Sequence, residues 1–273
     1  RGEPPGPLRR LRAGAAEAAN QQLARLPEVV VDRAGRALLS AQVALARNDL
    51  DRAEQALGEA GAGNRQNLLR ARIFEARGQI EAARPLYQRS MGVPGPERRQ
   101  AAIRLASIET NAGHPDRVVS LLEPIQPEAV DDLELVPLLA RAYLSRDRPA
   151  DAQRVVDAAL QRRPQSAELN AVRGAVLLDR GRAEEALAPL RTAVAARPQD
   201  AAIQADLGRA AFLAGHPDEA RAAWTAPLAI DEGNPRAQLG LGELAFAAGN
   251  FAEAQTRVDA AARATLAAEI GGR

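Results

Sequence analysis

The stretch Ala167–Pro198, AELNAVRGAVLLDRGRAEEALAPLRTAVAARP, decides the fold. Gly174 and, twelve residues on, Ala186 are small, which lets two antiparallel helices approach to an interaxial distance of roughly 8–10 Å. Leu190 lies four residues beyond Ala186, one helical turn along the same face, where a large side chain fills the gap beside the small ones. Gly181 falls between the two helices, at a point where a chain must end one helix in the left-handed region. Pro198 stops the second helix. The segment therefore predicts a helix–turn–helix hairpin.

The same pattern extends in both directions. Gly208 and Gly242 follow Gly174 at steps of 34 residues, and Ala140 and Ala106 precede it at the same step. Ala71 and Ala41 continue the series at steps of 35 and 30. Twelve residues after each anchor stands Ala53, Ala83, Val118, Ala152, Ala186, Ala220 or Ala254, and four later Leu57, Tyr87, Leu122, Val156, Leu190, Trp224 or Val258. The predicted turns carry Asn48, Gly78, Gly113, Asp147, Gly181, Gly215 and Gly249. A fixed period of this length means stacked hairpins, each burying its apolar face against its neighbours.

Composition agrees with an all-helical chain. Of 273 residues, 46 % are apolar but only 3 % aromatic, so Ala and Leu, strong helix formers, supply the core. All 36 basic residues are Arg, which implies a GC-rich bacterial genome, and they offset 35 acids to a net charge of +1. That balance argues against nucleic acid or an anionic membrane as partner. The absence of Cys excludes disulfides and thiol chemistry. No apolar run of about 18 residues offers a membrane span. The first residue is Arg1, not Met, so a processed product or a fragment is expected; a removed leader, a lipoprotein anchor and an upstream domain all stay open.

A 34-residue helix–turn–helix period with small, small, large, Ala and Pro positions in register resembles the tetratricopeptide repeat family over about Ala34–Leu266. The resemblance implies an all-α, right-handed superhelical solenoid of about seven units, near residues 34–63, 64–98, 99–132, 133–166, 167–200, 201–234 and 235–266. Departures are visible. The family's early Trp is missing, and its aromatic three after the anchor survives only as Phe74 and Tyr143. In the third unit Pro124 and Pro127 fall late in helix two, which predicts a shortened or distorted helix. Residues 1–33 are expected to form a disordered leader, Arg1–Pro7, then a helix or partial repeat over Leu8–Arg25. A long last helix over Phe251–Ile270 precedes a tail, residues 267–273, with no separate cap, so apolar surface and self-association through uncapped ends are expected.

The pentapeptide AGHPD occurs at Ala112–Asp116 and Ala214–Asp218 and holds both histidines of the chain, His114 and His216. Each follows a predicted turn Gly; Pro115 and Pro217 suit the first helical turn, and Asp116 and Asp218 suit the helix dipole there. Three repeats apart, at roughly 8–10 Å per layer, the imidazoles are too distant for one metal, whose bonds to nitrogen are about 2 Å. They read as solvated turns. GLGELAFAAG, Gly240–Gly249, lacks the third Gly and the preceding strand of a dinucleotide site, and no Walker, HExxH or nucleophile-elbow motif is present. No catalytic, cofactor-binding or metal-ligating residue is assigned.

The resemblance implies that the first helix of each unit lines a concave groove. Transferred to matching positions, this gives Arg65, Arg72 and Arg104 as a cluster, with Arg141 and Arg209 further along. Guanidinium forks suit the carboxylates of an acidic peptide; such arginines also fit a solvated face. Leu144, Leu178, Phe212 and Phe246 form a 34-spaced apolar stripe, with Phe212 and Phe246 expected exposed. Such a stripe reads as a peptide dock or as packing between units. No Lys and no Asn reproduce the clamp of chaperone-tail binders. The expected function is non-catalytic binding of a protein or peptide partner, without cofactor. A periplasmic scaffold of an exopolysaccharide-export or pilus machine and the regulatory arm of a larger enzyme are alternatives. RNA binding is disfavoured by the charge balance and the few aromatics.

Overall fold

The computed structural model describes residues 33–271, with side chains to residue 267. The expected leader and the helix or partial repeat before Arg33 lie outside these residues, as does most of the tail. The described residues form fourteen α-helices and no strand. In chain order they are α1 (Arg33–Ala46), α2 (Leu50–Glu59), α3 (Asn64–Ala76), α4 (Ile80–Met91), α5 (Pro96–Asn111), α6 (Pro115–Leu122), α7 (Leu135–Leu144), α8 (Pro149–Arg162), α9 (Ala167–Asp179), α10 (Ala183–Ala196), α11 (Ala201–Leu213), α12 (Pro217–Leu228), α13 (Pro235–Ala247) and α14 (Phe251–Gly271). Among the described residues no helix is long and apolar enough to cross a membrane.

The turn chemistry follows the sequence at every hairpin. Asn48, Gly78, Gly113, Asp147, Gly181, Gly215 and Gly249 all have φ between 53° and 82°. In each case the next N–H reaches back five residues, as in Arg182 to Leu177 O (2.8 Å) and His216 to Ala211 O (2.8 Å), while the turn residue's own N–H reaches back three. These paired bonds satisfy carbonyls that the helix end would leave free. The opposite ends repeat as well. Ser166, Asp200 and Asn234, spaced by 34 residues, cap α9, α11 and α13 by accepting backbone N–H bonds. Asp132, 34 residues earlier, accepts from Glu134 and Leu135 in the same way.

The anchors and their partners form the core. Ala71, Ala106, Ala140, Ala53, Ala83, Ala152, Ala186 and Ala220 have no exposed surface, and neither do Leu57, Tyr87, Leu122, Val156 and Leu190. The fit is close where the anchor is Gly: a Cβ on Gly174 would lie 2.4 Å from Leu190 Cγ, and one on Gly208 would lie 2.5 Å from Trp224 Nε1. A second repeated device was not anticipated. Gln66, Asn170, Gln204 and Gln238 each donate a side-chain amide to the carbonyl six residues earlier, tying the connection into each first helix. Asn170, Gln204 and Gln238 are buried and again 34 residues apart. The amide satisfies a loop carbonyl that packing removes from water.

The chain divides into two compact units, residues 1–114 and 115–273. In the first, α1 pairs with α2 and α3 with α4, and α5 packs on α4 and α3. In the second, α6 packs on α7, four hairpins follow (α7/α8, α9/α10, α11/α12, α13/α14), and each first helix also touches the next first helix. The boundary falls in the third repeat, whose second helix α6 spans only eight residues and gives way after Pro124 to a 3₁₀ turn, Gln126–Glu128. The proline pair thus shortens the helix as its sequence predicts. At the other end α14 runs 21 residues. Phe246 and Phe251 (both 64 % exposed), Val258 and Leu266 leave apolar surface on the last hairpin.

Candidate functional site

The first helices of the second unit, α7, α9, α11 and α13, line a cleft of about 680 Å³. Pro137, Arg141 and Leu144 come from α7, Val172 from α9, Asp206 from α11 and Arg236 from α13. An adjoining pocket of about 420 Å³ shares Asp206 and Arg236 and reaches Arg209, Leu239 and Glu243. The side chains converge because each helix repeats its face at one period, so equivalent positions of successive hairpins stand side by side.

Asp206 lies half-buried between three guanidiniums. Loss of water raises its carboxyl above the ordinary range, and Arg236, Arg209 and Arg141 act in the opposite direction. Among the described residues none of these four side chains makes a hydrogen bond or ion pair. The neighbouring charges of the cleft are engaged: Arg197 binds Glu168, and Asp200 caps α11 through Ala202 and Ile203. Asp206 and Arg236 escaped the sequence-based selection of site residues. Both occupy groove-facing positions of their units, but no reading of one chain shows that they meet.

The arginines of the first unit are placed differently. Tyr87, buried on α4, donates its hydroxyl to Glu75 of α3. Burial first, and then this bond, push the phenol well above its usual range, against the pull of Arg104 and Arg72. Arg104 Nη1 stands 3.8 Å from Glu75 Oε1. Arg72 and Arg104 are therefore brought together, but around an acid of the protein itself. Arg65 lies apart, with Nη2 3.5 Å from Gln42 Oε1 on α1.

The expected exposed stripe requires correction. Leu178 is buried and only 8 % exposed, Leu144 and Phe212 are half-buried, and Phe246 alone stands out at 64 %. Phe212 packs on Trp224, ring centroids 5.9 Å apart. Interior members of the stripe fill the seam with the following hairpin, whereas Phe246 rests edge-on against Phe251 at 5.4 Å in the last one.

The histidines stay half-exposed, but each has a carboxylate partner. His216 Nε2 is 3.1 Å from Glu184 Oε2. His114 Nδ1 is 2.8 Å from Glu109 Oε2, and Glu109, buried at the position where a repeat usually carries an aromatic, also binds Arg84. Arg84 is held protonated above its usual range, mainly by that bond to Glu109. Among the described residues no three His, Asp or Glu gather as a metal site.

Comparison with known proteins agrees with this architecture. Two tetratricopeptide repeat models match the chain, one over residues 65–162 and the other over 138–201 and 205–269. A thermophilic TPR protein of Thermus thermophilus is 23 % identical over 62 % of this chain and 97 % of its own, with a TM-score of 0.52. MamA from Desulfovibrio magneticus RS-1, residues 41 to the end, is 20 % identical over 62 % of this chain and 95 % of its own, also at 0.52. A further MamA structure, MSR-1, is 19 % identical over 62 % and 98 % at 0.50. No curated protein matches the sequence. Identities this low speak for the fold. With the repeat models spanning most of residues 65–269, and helix, turn and core positions recurring at the repeat period, the chain belongs to the tetratricopeptide repeat family.

Proposed function

We propose that this chain is a non-catalytic scaffold that binds an extended peptide or a helix of a protein partner along the α7–α9–α11–α13 cleft. The observation that carries this reading is the set of guanidiniums without partners, Arg141, Arg209 and Arg236, beside the apolar Leu144, Val172 and Leu239 in one preformed groove. A groove already ordered by hairpin packing lowers the entropy that a partner must lose on docking. Unpaired arginines supply orientation, and the apolar floor supplies desolvation. Arg65, Arg72 and Arg104 form a separate candidate surface in the first unit, and Phe246 adds an apolar contact at the end of the second.

The test is affinity capture with identification by mass spectrometry, repeated with Arg141→Ala/Arg209→Ala. The partner retained by the parent chain is expected to be lost from the double variant while its helical circular dichroism is unchanged. Equal capture by both chains sinks the assignment of the groove.

A further inference from the structure

Within the cleft, charge is arranged in a way that a purely structural role does not require. Arg141, Arg209 and Arg236 arrive from three different helices and surround Asp206, yet no guanidinium nitrogen comes within the 4.0 Å of an ion pair. A few residues away Arg197 and Glu168 do close such a pair. An unpaired, half-dried carboxylate costs stability, and three nearby guanidiniums could satisfy it by modest side-chain rotation. The four side chains instead stand open around space that a ligand can fill.

We propose that this cleft recognises a carboxylate-rich segment of a protein partner, whose acidic groups take the forks of Arg141, Arg209 and Arg236, and that Asp206 opposes them and so limits how acidic a segment is retained. The inference rests on the reading of the cleft as a peptide groove. Of the acids lining it, Glu168 is neutralised by Arg197 and Asp200 is committed to capping α11, leaving Asp206 and Glu243 against three free arginines. The excess is positive, and the arginine fork matches a carboxylate in two parallel bonds. Leu144, Val172, Ile203 and Leu239 give the floor an apolar character suited to the stems of Glu side chains. A nucleic acid is the poorer fit. The aromatic lining the cleft, Trp224, is 2 % exposed with its Nε1–H donated to Ala205 O, so it offers no face for base stacking.

The experiment is calorimetric titration of the full chain at low ionic strength with a hexaglutamate peptide, with hexaglutamine and an oligothymidylate as comparison probes. Hexaglutamate is expected to bind and the other two to fail. Arg141→Ala, Arg209→Ala and Arg236→Ala are each expected to weaken hexaglutamate about tenfold, the loss of one charge-assisted contact. Asp206→Asn, nearly isosteric, is expected to tighten it about fivefold by removing the opposing charge. Circular dichroism melts confirm that each variant is folded. Binding of oligothymidylate as tight as hexaglutamate, or unchanged or weaker binding in Asp206→Asn, overturns the proposal. So does absence of hexaglutamate binding. The groove reading has a separate readout: a photo-crosslinker at Ala175 that joins the captured partner shows the groove in use even where hexaglutamate fails.

Discussion

Trp224 is held against Gly240: a Cβ on that glycine would stand 2.2 Å from Trp224 Cε2. The indole of α12 thus fills the place that a side chain on α13 would need, with Gly208 opposite at 2.5 Å. This contact joins the last two hairpins, and Trp224 is the single tryptophan of the chain. Gly240→Ala is expected to destabilise the second unit by about 1–3 kcal/mol through overpacking, less the gain in helix propensity of at most about 1 kcal/mol. Gly242→Ala is the comparison: its nearest neighbour, Arg257 Cβ, is at 3.3 Å, so helix propensity offsets the mild crowding and stability changes little. Urea unfolding followed by Trp224 emission separates the two.

The seven left-handed turns offer a second test. Gly215 has φ of 82°, where an added Cβ meets backbone, so Gly215→Ala is expected to cost about 1–2 kcal/mol. Asp147 occupies the same conformation at 53° with its side chain present. Asp147→Gly removes that strain and is expected to raise the melting temperature by a few degrees, on the order of 1 kcal/mol. A lower melting temperature for Asp147→Gly contradicts the turn argument.

Glu109 places a charge where a repeat normally buries an aromatic, and both Arg84 and His114 answer it. Arg84→Ala removes the guanidinium bonded to that buried carboxylate, and the first unit is expected to lose about 3 kcal/mol. His114→Ala, which removes a half-exposed partner, is expected to cost less than about 1 kcal/mol. Thermal melts of the two variants should differ clearly; equal melts mean that Arg84 is not the main counter-charge of Glu109.

Phe212 and Phe246 hold equivalent positions with different surroundings. Phe212→Ala removes a half-buried ring from Trp224 and is expected to cost about 2 kcal/mol. Phe246→Ala touches a ring already 64 % exposed and is expected to stay within about 0.5 kcal/mol. Phe246→Ala is therefore the variant suited to partner-capture experiments, and a large loss of stability there contradicts its placement at the surface.

Arg191 grips Glu219 through two bonds, at 2.8 and 2.7 Å, across successive hairpins. The bond from Arg191 holds the Glu219 carboxyl below its ordinary value, against the effect of burial. Its folded pKa then lies under the unfolded one, near 4.3. The native state is favoured by this pair above that pH, and the advantage fades as pH falls through the folded value. Glu219→Gln is expected to be less stable than the parent at pH 7 and to converge with it toward pH 3 in urea unfolding.

How much of this was legible beforehand follows from how each feature is encoded. Seven turn residues and the small–small–large core positions are one-dimensional: they recur at a fixed step, and a helix converts a fixed step into a fixed face. The sequence by itself therefore determined the hairpins, their turns and the broken helix at Pro124. It also singled out Arg141 and Arg209 as groove positions. What it could not supply is anything that depends on the neighbouring layer. Leu178 and Phe212 are buried by side chains of the next hairpin, and Phe246 is exposed in the last one, although the three stand at the same repeat position. Asp206 and Arg236 become a site with Arg141 and Arg209 only when four helices from four hairpins align. Arg72 and Arg104, alike in sequence to those arginines, turn out to face Glu75. Periodicity fixes which side of a helix a residue occupies; tertiary packing alone decides whether that side meets a core, a counter-charge or an open cleft.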